Sequence, residues 1–326
     1  MRFNSDSQKL EYWMGSAWMQ IQTFSPNLEG GVRGFFVGGV NPSSGASDRI
    51  DFITISTQGD ATDFGNLTTS RSETAGFSNA TRALAGGKPP AGDTIDVWTM
   101  SSTGNASDFG NLVSATNNAQ GFGGLANATR GIFGGGYQIP SGGVNILQFV
   151  TINSNGNTQD FGDLAGSPSA FSGATGGSSP TRGIWFGGNF PSDNNIQYIT
   201  IASTGNGQDF GEMTDVKAHG STGSNAVRIV YFQGQSQNNT IEFITTATFG
   251  NTTEFGDMTL GNRYGATSNS SFTRACVGGG GYPGSTQVID YVQMMSQGNS
   301  VDFGDLSQSR YYLVRGCLSN GHGGLG

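Results

Sequence analysis

The chain has 326 residues, with 15 Lys and Arg against 23 Asp and Glu and a formal net charge of −8. Its basic residues are scattered singly and form no stripe that could neutralise a phosphate backbone, so nucleic acid is not an expected partner. Charged residues make up only 12% of the chain, whereas apolar residues reach 34%, aromatics 11%, and glycines number 55. Such a composition suits weakly charged β-structure if the glycines are periodic, and a low-complexity chain if they are not.

The first stretch, Met1 to Gln8, is polar with no apolar core behind it, and nowhere do 18 apolar residues run together. Neither a secretory signal nor a membrane span is expected. Cys276 and Cys317 are too few for a disulfide scaffold and fit assembly in a reducing cytosol.

From residue 32 onward the glycines are periodic. An acidic-Phe-Gly triplet recurs at Asp63-Phe64-Gly65, Asp108-Phe109-Gly110, Asp160-Phe161-Gly162, Asp209-Phe210-Gly211, Glu254-Phe255-Gly256 and Asp302-Phe303-Gly304, at intervals of 45, 52, 49, 45 and 48 residues. Four positions before each acid stands a Gly, and Leu or Met follows two positions after each triplet. Short runs of alternating apolar residues lie just upstream, for example Ile95 to Met100 and Ile241 to Thr246, too short for helices and patterned as strands. Earlier still comes an Arg (Arg33, Arg82, Arg130, Arg182, Arg228, Arg274), then apolar residues and usually a Gly pair.

We label the Arg-containing stretch strand b, the apolar run strand c and the triplet strand d. A preceding stretch of small residues, such as Ala75-Gly76-Phe77-Ser78, is strand a, suited to the crowded centre of a ring. Four strands in about 48 residues is the size of a propeller blade. The first strand b has no strand a before it, whereas Val314 to Asn320 after the last triplet reads as one. The expected fold is therefore all-β: a six-bladed, kelch-like β-propeller over residues 32–326, its first blade closed by the C-terminal strand, preceded by a β-meander or attachment segment over 1–31. The triplet Phe residues are expected to lie buried between blades.

The Gly pair, the aromatic strand after it, the strand-d aromatic and a nearby basic residue (Arg71, Lys217, Arg263, Arg310) resemble kelch repeats, with Phe in place of the usual Trp. Kelch propellers include enzymes, lectins and scaffolds, so this resemblance does not choose a function. Residues 2–21, with Tyr12-Trp13 and Ala17-Trp18-Met19, resemble a short meander of tail-fibre and other virion proteins of tailed bacteriophages. The Gly/Asn/Thr-rich repeats are similar to propellers encoded by phages of cyanobacteria. These resemblances imply a non-enzymatic virion protein, either a tail fibre or appendage or a head or neck decoration, assembled in the host cytoplasm. Its implied partners are other virion proteins, possible further copies of itself, and a host-surface glycan or receptor. A soluble glycan-binding lectin is the alternative, and a propeller glycan hydrolase the third reading.

The chemistry-bearing residues favour the non-enzymatic readings. An acidic-Phe-Gly triplet also holds magnesium in protein kinases, but the phosphate loop, strand Lys and catalytic loop that chemistry needs are missing. Turn segments such as Ser203 to Asp209 supply fewer oxygen ligands than a calcium loop. They also lack the ordered Asp, Gly and Trp of a sialidase Asp-box. His219 and His322, the two histidines, lie about a hundred residues apart and cannot by spacing suggest a triad or metal site. No cofactor and no metal are expected. The six strand-b arginines read as a repeated structural contact with strand-d acids, the rival being an anion-binding ring on the axis.

Loop lengths point to one face. The c-d turns have constant spacing, whereas the b-c and d-a connections vary, and variable loops on a rigid scaffold are where recognition concentrates. Those loops carry the candidate binding residues Tyr137, Phe190, Tyr264, Tyr282, Tyr311 and Tyr312, together with Phe171 and His219. Exposed aromatics among Asn, Ser and Gly suit glycan stacking or a wet protein interface.

Overall fold

A computed structural model describes residues 2–4, 9–20, 32–87, 92–113, 121–138, 142–166, 171–189, 192–234, 238–281 and 284–325. The chain divides into two compact units, Met1–Gly31 and Val32–Gly326. In the first, strands Arg2–Asn4, Lys9–Trp13 and Trp18–Gln20 form an antiparallel sheet in chain order. Arg2 pairs with Glu11 at 2.9 Å and lies 4.1 Å from the ring centroid of Trp18.

The second unit is a six-bladed β-propeller, as the periodicity predicts. In blade 2, Ala75–Ser78, Arg82–Gly86, Thr94–Thr99 and Ser107–Asn111 pair in the order a-b-c-d, and blades 3 to 6 repeat this. Blade 1 takes strands b, c and d from Arg33–Val37, Arg49–Thr54 and Thr62–Asn66. The C-terminal segment supplies its innermost strand: Phe35 N donates to Leu318 O at 2.9 Å, and Val314 N donates to Val37 O at 3.0 Å.

That closing strand departs from its counterparts. In blade 2 the partners of Gly86 and Leu84, Ala75 and Phe77, are two positions apart. In blade 1 the equivalent partners of Val37 and Phe35 are Val314 and Leu318, four positions apart. The extra residues form a bulge at 315–317. A Cβ on Gly316 would lie 2.0 Å from Gly76 O and 2.8 Å from Gly124 O, so the bulge packs against the innermost strands of blades 2 and 3.

Each constant element of the repeat is used between blades. The triplet phenylalanines are buried, and every one packs into the next blade: Phe161 of blade 3, for instance, clusters with Trp185, Ile199 and Ile201 of blade 4. The turn glycine donates its N–H to the carbonyl of the preceding blade's triplet Phe, from Gly104 to Phe64 at 2.9 Å around to Gly59 and Phe303 at 2.9 Å. A Cβ on the triplet glycine would collide with this turn, 2.3 Å from Gly104 O at Gly65, so only Gly permits the approach. The turn Asn and Asp oxygens, too few for a calcium loop, accept backbone N–H groups of the preceding blade: Asn105 Oδ1 from Asn66 N at 3.0 Å, Asp60 Oδ1 from Asp305 N at 3.0 Å.

The strand-b arginines also bind between blades, but not to the strand-d acids, which are exposed at the blade rims. Arg82 Nη1 donates to Ile152 O, Arg130 Nη1 to Ile201 O and Arg182 Nη1 to Thr246 O, each at 2.8 Å in the next blade. Their guanidinium planes lie over aromatic rings of strands c and d, as Arg130 does over Phe149 at 4.4 Å. This corrects the expected acid contact and also removes the axial Arg ring, since a carbonyl of the following blade already occupies each inter-blade donor. Arg, with a fixed fork and a stackable face, serves both contacts at once.

The basic residues that follow four of the triplets are fully buried. Arg71 pairs with Asp96 at 3.0 Å, Arg263 with Asp290 at 2.8 Å, Arg310 with Asp51 at 2.5 Å, and Lys217 with Glu242. In blades 3 and 4 the corresponding strand-c residue is neutral: Gln148 and Gln197 use Oε1 to accept from Val113 N at 3.0 Å and Ala165 N at 2.8 Å. Buried charge appears where its partner does.

Candidate functional site

The innermost strands line the axis, and the residue two positions before the start of each closes a backbone ring on the face of the d-a loops. These residues are Glu73, Gly121, Gly173, His219, Gly265 and Tyr312, with φ of 54°, 72°, 80°, 58°, 68° and 53°. Gly121 N donates to Glu73 O at 2.7 Å, Gly173 N to Gly121 O at 3.0 Å, His219 N to Gly173 O at 3.0 Å and Gly265 N to His219 O at 3.1 Å. Leu313 N to Gly265 O at 3.0 Å and Glu73 N to Tyr312 O at 2.9 Å complete the circuit. A left-handed conformation suits glycine and strains Glu, His and Tyr. Strained residues of this kind persist only where surrounding structure over-determines them, and they cluster at functional positions.

Around the mouth the side chains converge. His219 stacks on Tyr264 with centroids 4.2 Å apart; Tyr264 meets Tyr312 edge-on at 5.2 Å, and Tyr312 lies 4.9 Å from Tyr311. The three tyrosines are half-buried, and burial, followed by a hydrogen bond with Tyr264, pushes the Tyr312 phenol upward. From the closing-strand bulge, Arg315 reaches His219, with Nη2 2.5 Å from Nδ1. Burial and then the Arg315 charge hold His219 well below the usual histidine range. Its Nδ1 therefore accepts the guanidinium N–H, and the imidazole is neutral.

The opposite mouth is filled by the chain itself. His322, fully buried, donates Nε2–H to Ser78 O at 2.7 Å and accepts from Gly324 N at Nδ1 at 3.1 Å. Gly323 N donates to Ser224 Oγ at 3.3 Å. Cβ atoms on Gly323 or Gly324 would strike Ser178 O at 2.4 Å or Ala126 O at 1.8 Å, so the tail threads among the far ends of strands a.

Of the candidate binding residues, Tyr264, Tyr311 and Tyr312 come together. Tyr137, half-buried in a short hairpin of Tyr137–Gln138 with Gly142–Gly143, makes no ring contact with them. Phe190 and Tyr282 lie outside the described residues. Phe171 and His219, expected as exposed loop aromatics, are instead buried. Phe171 packs against Trp185 and Ala174 in the core between blades 3 and 4. Sequence reading missed Glu73 and Arg315; the signal for Arg315 was a long charged side chain in a strand whose five counterparts carry no charged residue. Among the described residues no group of three His, Cys, Asp or Glu could hold a metal ion, and no helix is long and apolar enough to cross a membrane.

The geometry is that of a six-bladed β-propeller whose axis is closed at one end by its own tail and at the other by a strained, aromatic-rimmed ring. No protein-family model matches the chain, and no curated protein matches it.

Proposed function

We propose that the protein is a non-enzymatic structural component of a tailed-phage particle, anchored by its N-terminal sheet and presenting the tyrosine-rimmed propeller face to a host-surface glycan or a neighbouring virion protein. The observation that carries this reading is the N-terminal unit. Trp13 is 51% exposed, Met14 59%, Met19 46%, and Tyr12 and Trp18 39% each. A three-stranded sheet of eleven residues is marginal alone, and apolar surface on this scale marks an interaction site. The resemblance of this segment to virion proteins supplies the kind of assembly it would join. The half-buried Tyr264, Tyr311 and Tyr312 also suit a free lectin, because aromatic faces stack on sugar rings.

Paired variants of the full chain test both readings. Trp13→Ser with Trp18→Ser should abolish incorporation into particles while the propeller keeps its circular-dichroism spectrum. Tyr264→Ser with Tyr311→Ser should leave incorporation intact and reduce adsorption to host cells. Normal incorporation of the tryptophan variant sinks the anchoring role, and glycan binding by particle-free protein that depends on the tyrosines favours the lectin.

A further inference from the structure

Arg315 stands apart from the other buried cations. Arg71, Lys217, Arg263 and Arg310 each have a carboxylate partner, whereas Arg315, with 0% exposure, makes no ion pair among the described residues. Its Nη2 meets the neutral His219, and its Nε and Nη1 have no hydrogen-bond partner. Nη1 points into the ring mouth, 3.6 Å from where a Cβ of Gly121 would stand. Three of the six ring positions are glycines; His219 and Tyr312 fill the spaces at Gly173 and Gly265, and Gly121 is the one beside Nη1. A buried charge is otherwise paired, and an unsatisfied charged donor costs more than a neutral one.

We infer that the axial mouth binds a small monovalent anion, of chloride to formate size, against Nε and Nη1 of Arg315. The anion would sit inside the backbone ring beside Gly121, whose missing side chain leaves room next to Nη1, with His219 fixing the guanidinium plane. His219 accepts from Nη2 and so leaves the other edge of the fork for the ligand. Adjacent N–H groups in a planar fork match either a spherical halide or a carboxylate. Of the titratable groups facing the guanidinium, His219 touches it, and Glu73 first, then Tyr264, Tyr312 and Tyr231, act on it through their charge.

Crystals of the native full-length chain soaked in sodium bromide give a direct test by anomalous scattering. The expected result is a bromide peak within hydrogen-bonding distance of Arg315 Nη1. In solution, at fixed sodium concentration, the melting temperature should rise by several degrees when bulky gluconate is replaced by chloride or formate, because a ligand that binds only the folded state stabilises it. Arg315→Gln should remove that dependence; if this variant does not fold, the bromide map of the native chain still decides. Water alone at the site, bromide confined to the outer surface, or the Glu73 carboxylate turned onto the guanidinium would overturn the inference. Equal melting temperatures in gluconate and chloride would do the same.

Discussion

The four buried ion pairs can be tested one side at a time, and Arg263–Asp290 is the clearest. Asp290 accepts from Arg263 Nη2 at 2.8 Å and from Thr259 Oγ1 at 2.7 and 2.8 Å, while Arg263 Nη1 also donates to Gly279 O at 2.9 Å and Val288 O at 2.7 Å. Asp290→Ala leaves a guanidinium buried without its carboxylate and strips Thr259 of its acceptor. Breaking a buried pair from one side costs about 3–5 kcal/mol. Neutralising both sides is different, because blades 3 and 4 already work with Gln148 and Gln197 at the strand-c position. Arg263→Met with Asp290→Gln should therefore recover most of the loss, ending within about 1–2 kcal/mol of the native chain, since apolar or neutral replacement of a whole buried pair is often near neutral. Urea unfolding of the native chain, both single variants and the double variant gives the coupling directly. If the double variant is as unstable as Asp290→Ala alone, the pair is not an exchangeable unit and the reasoning fails.

Two further outcomes follow from burial. Phe161→Ala should cost about 3–5 kcal/mol in the same assay, as for other core aromatics, since the ring fills the seam with Leu125, Trp185, Ile199 and Ile201; a loss under about 1 kcal/mol would show the seam to be loosely filled. Burial holds the fully buried His322 down to about 4 against an ordinary 6.5, with the bond to Ser78 O opposing it. Because the folded value is depressed, the unfolded chain takes up the proton first, so stability is full above about pH 6.5 and falls as pH drops toward about 4, by roughly 3 kcal/mol. His219 acts in the same sense. His322→Gln should shallow the acid slope between those pH values, and an unchanged slope would place the proton uptake elsewhere.

Most of the propeller was legible because its defining contacts are local in the repeat. Gly104 and Phe64 must touch across a blade seam, a Cβ at Gly65 would prevent it, and the same spacing therefore recurs six times. The closing strand was legible too, as a leftover strand-a sequence at the C-terminus. What could not be read was the direction of side chains whose partners are backbone atoms. The strand-b arginines meet carbonyls such as Ile152 O and Ile201 O, and a carbonyl leaves no mark in the sequence. The exposure of loop aromatics was likewise hidden: Phe171 and His219 occupy loops yet turn inward, because the ring before strand a pulls those loops to the axis.

The repeat spends its regular residues on holding itself together, and this bears on where recognition can occur. Turn glycines, turn amides, triplet phenylalanines and strand-b arginines all have inter-blade partners, so the positions common to six copies have little left to offer a ligand. Individuality is confined to positions where the copies differ, and the axial ring is the densest of these. Its occupied and empty places depend on one another: a Cβ at Gly173 would lie 2.9 Å from His219 Nε2, and one at Gly265 would lie 2.6 Å from Tyr312 N. His219 and Tyr312 can project only because their neighbours are glycines, and Arg315 reaches His219 only because the closing strand alone bulges. A ring with six equal side chains could not be built on this backbone. The asymmetry of the mouth is thus a condition of its packing, and a ligand that uses it would be read by one orientation of the propeller rather than by six.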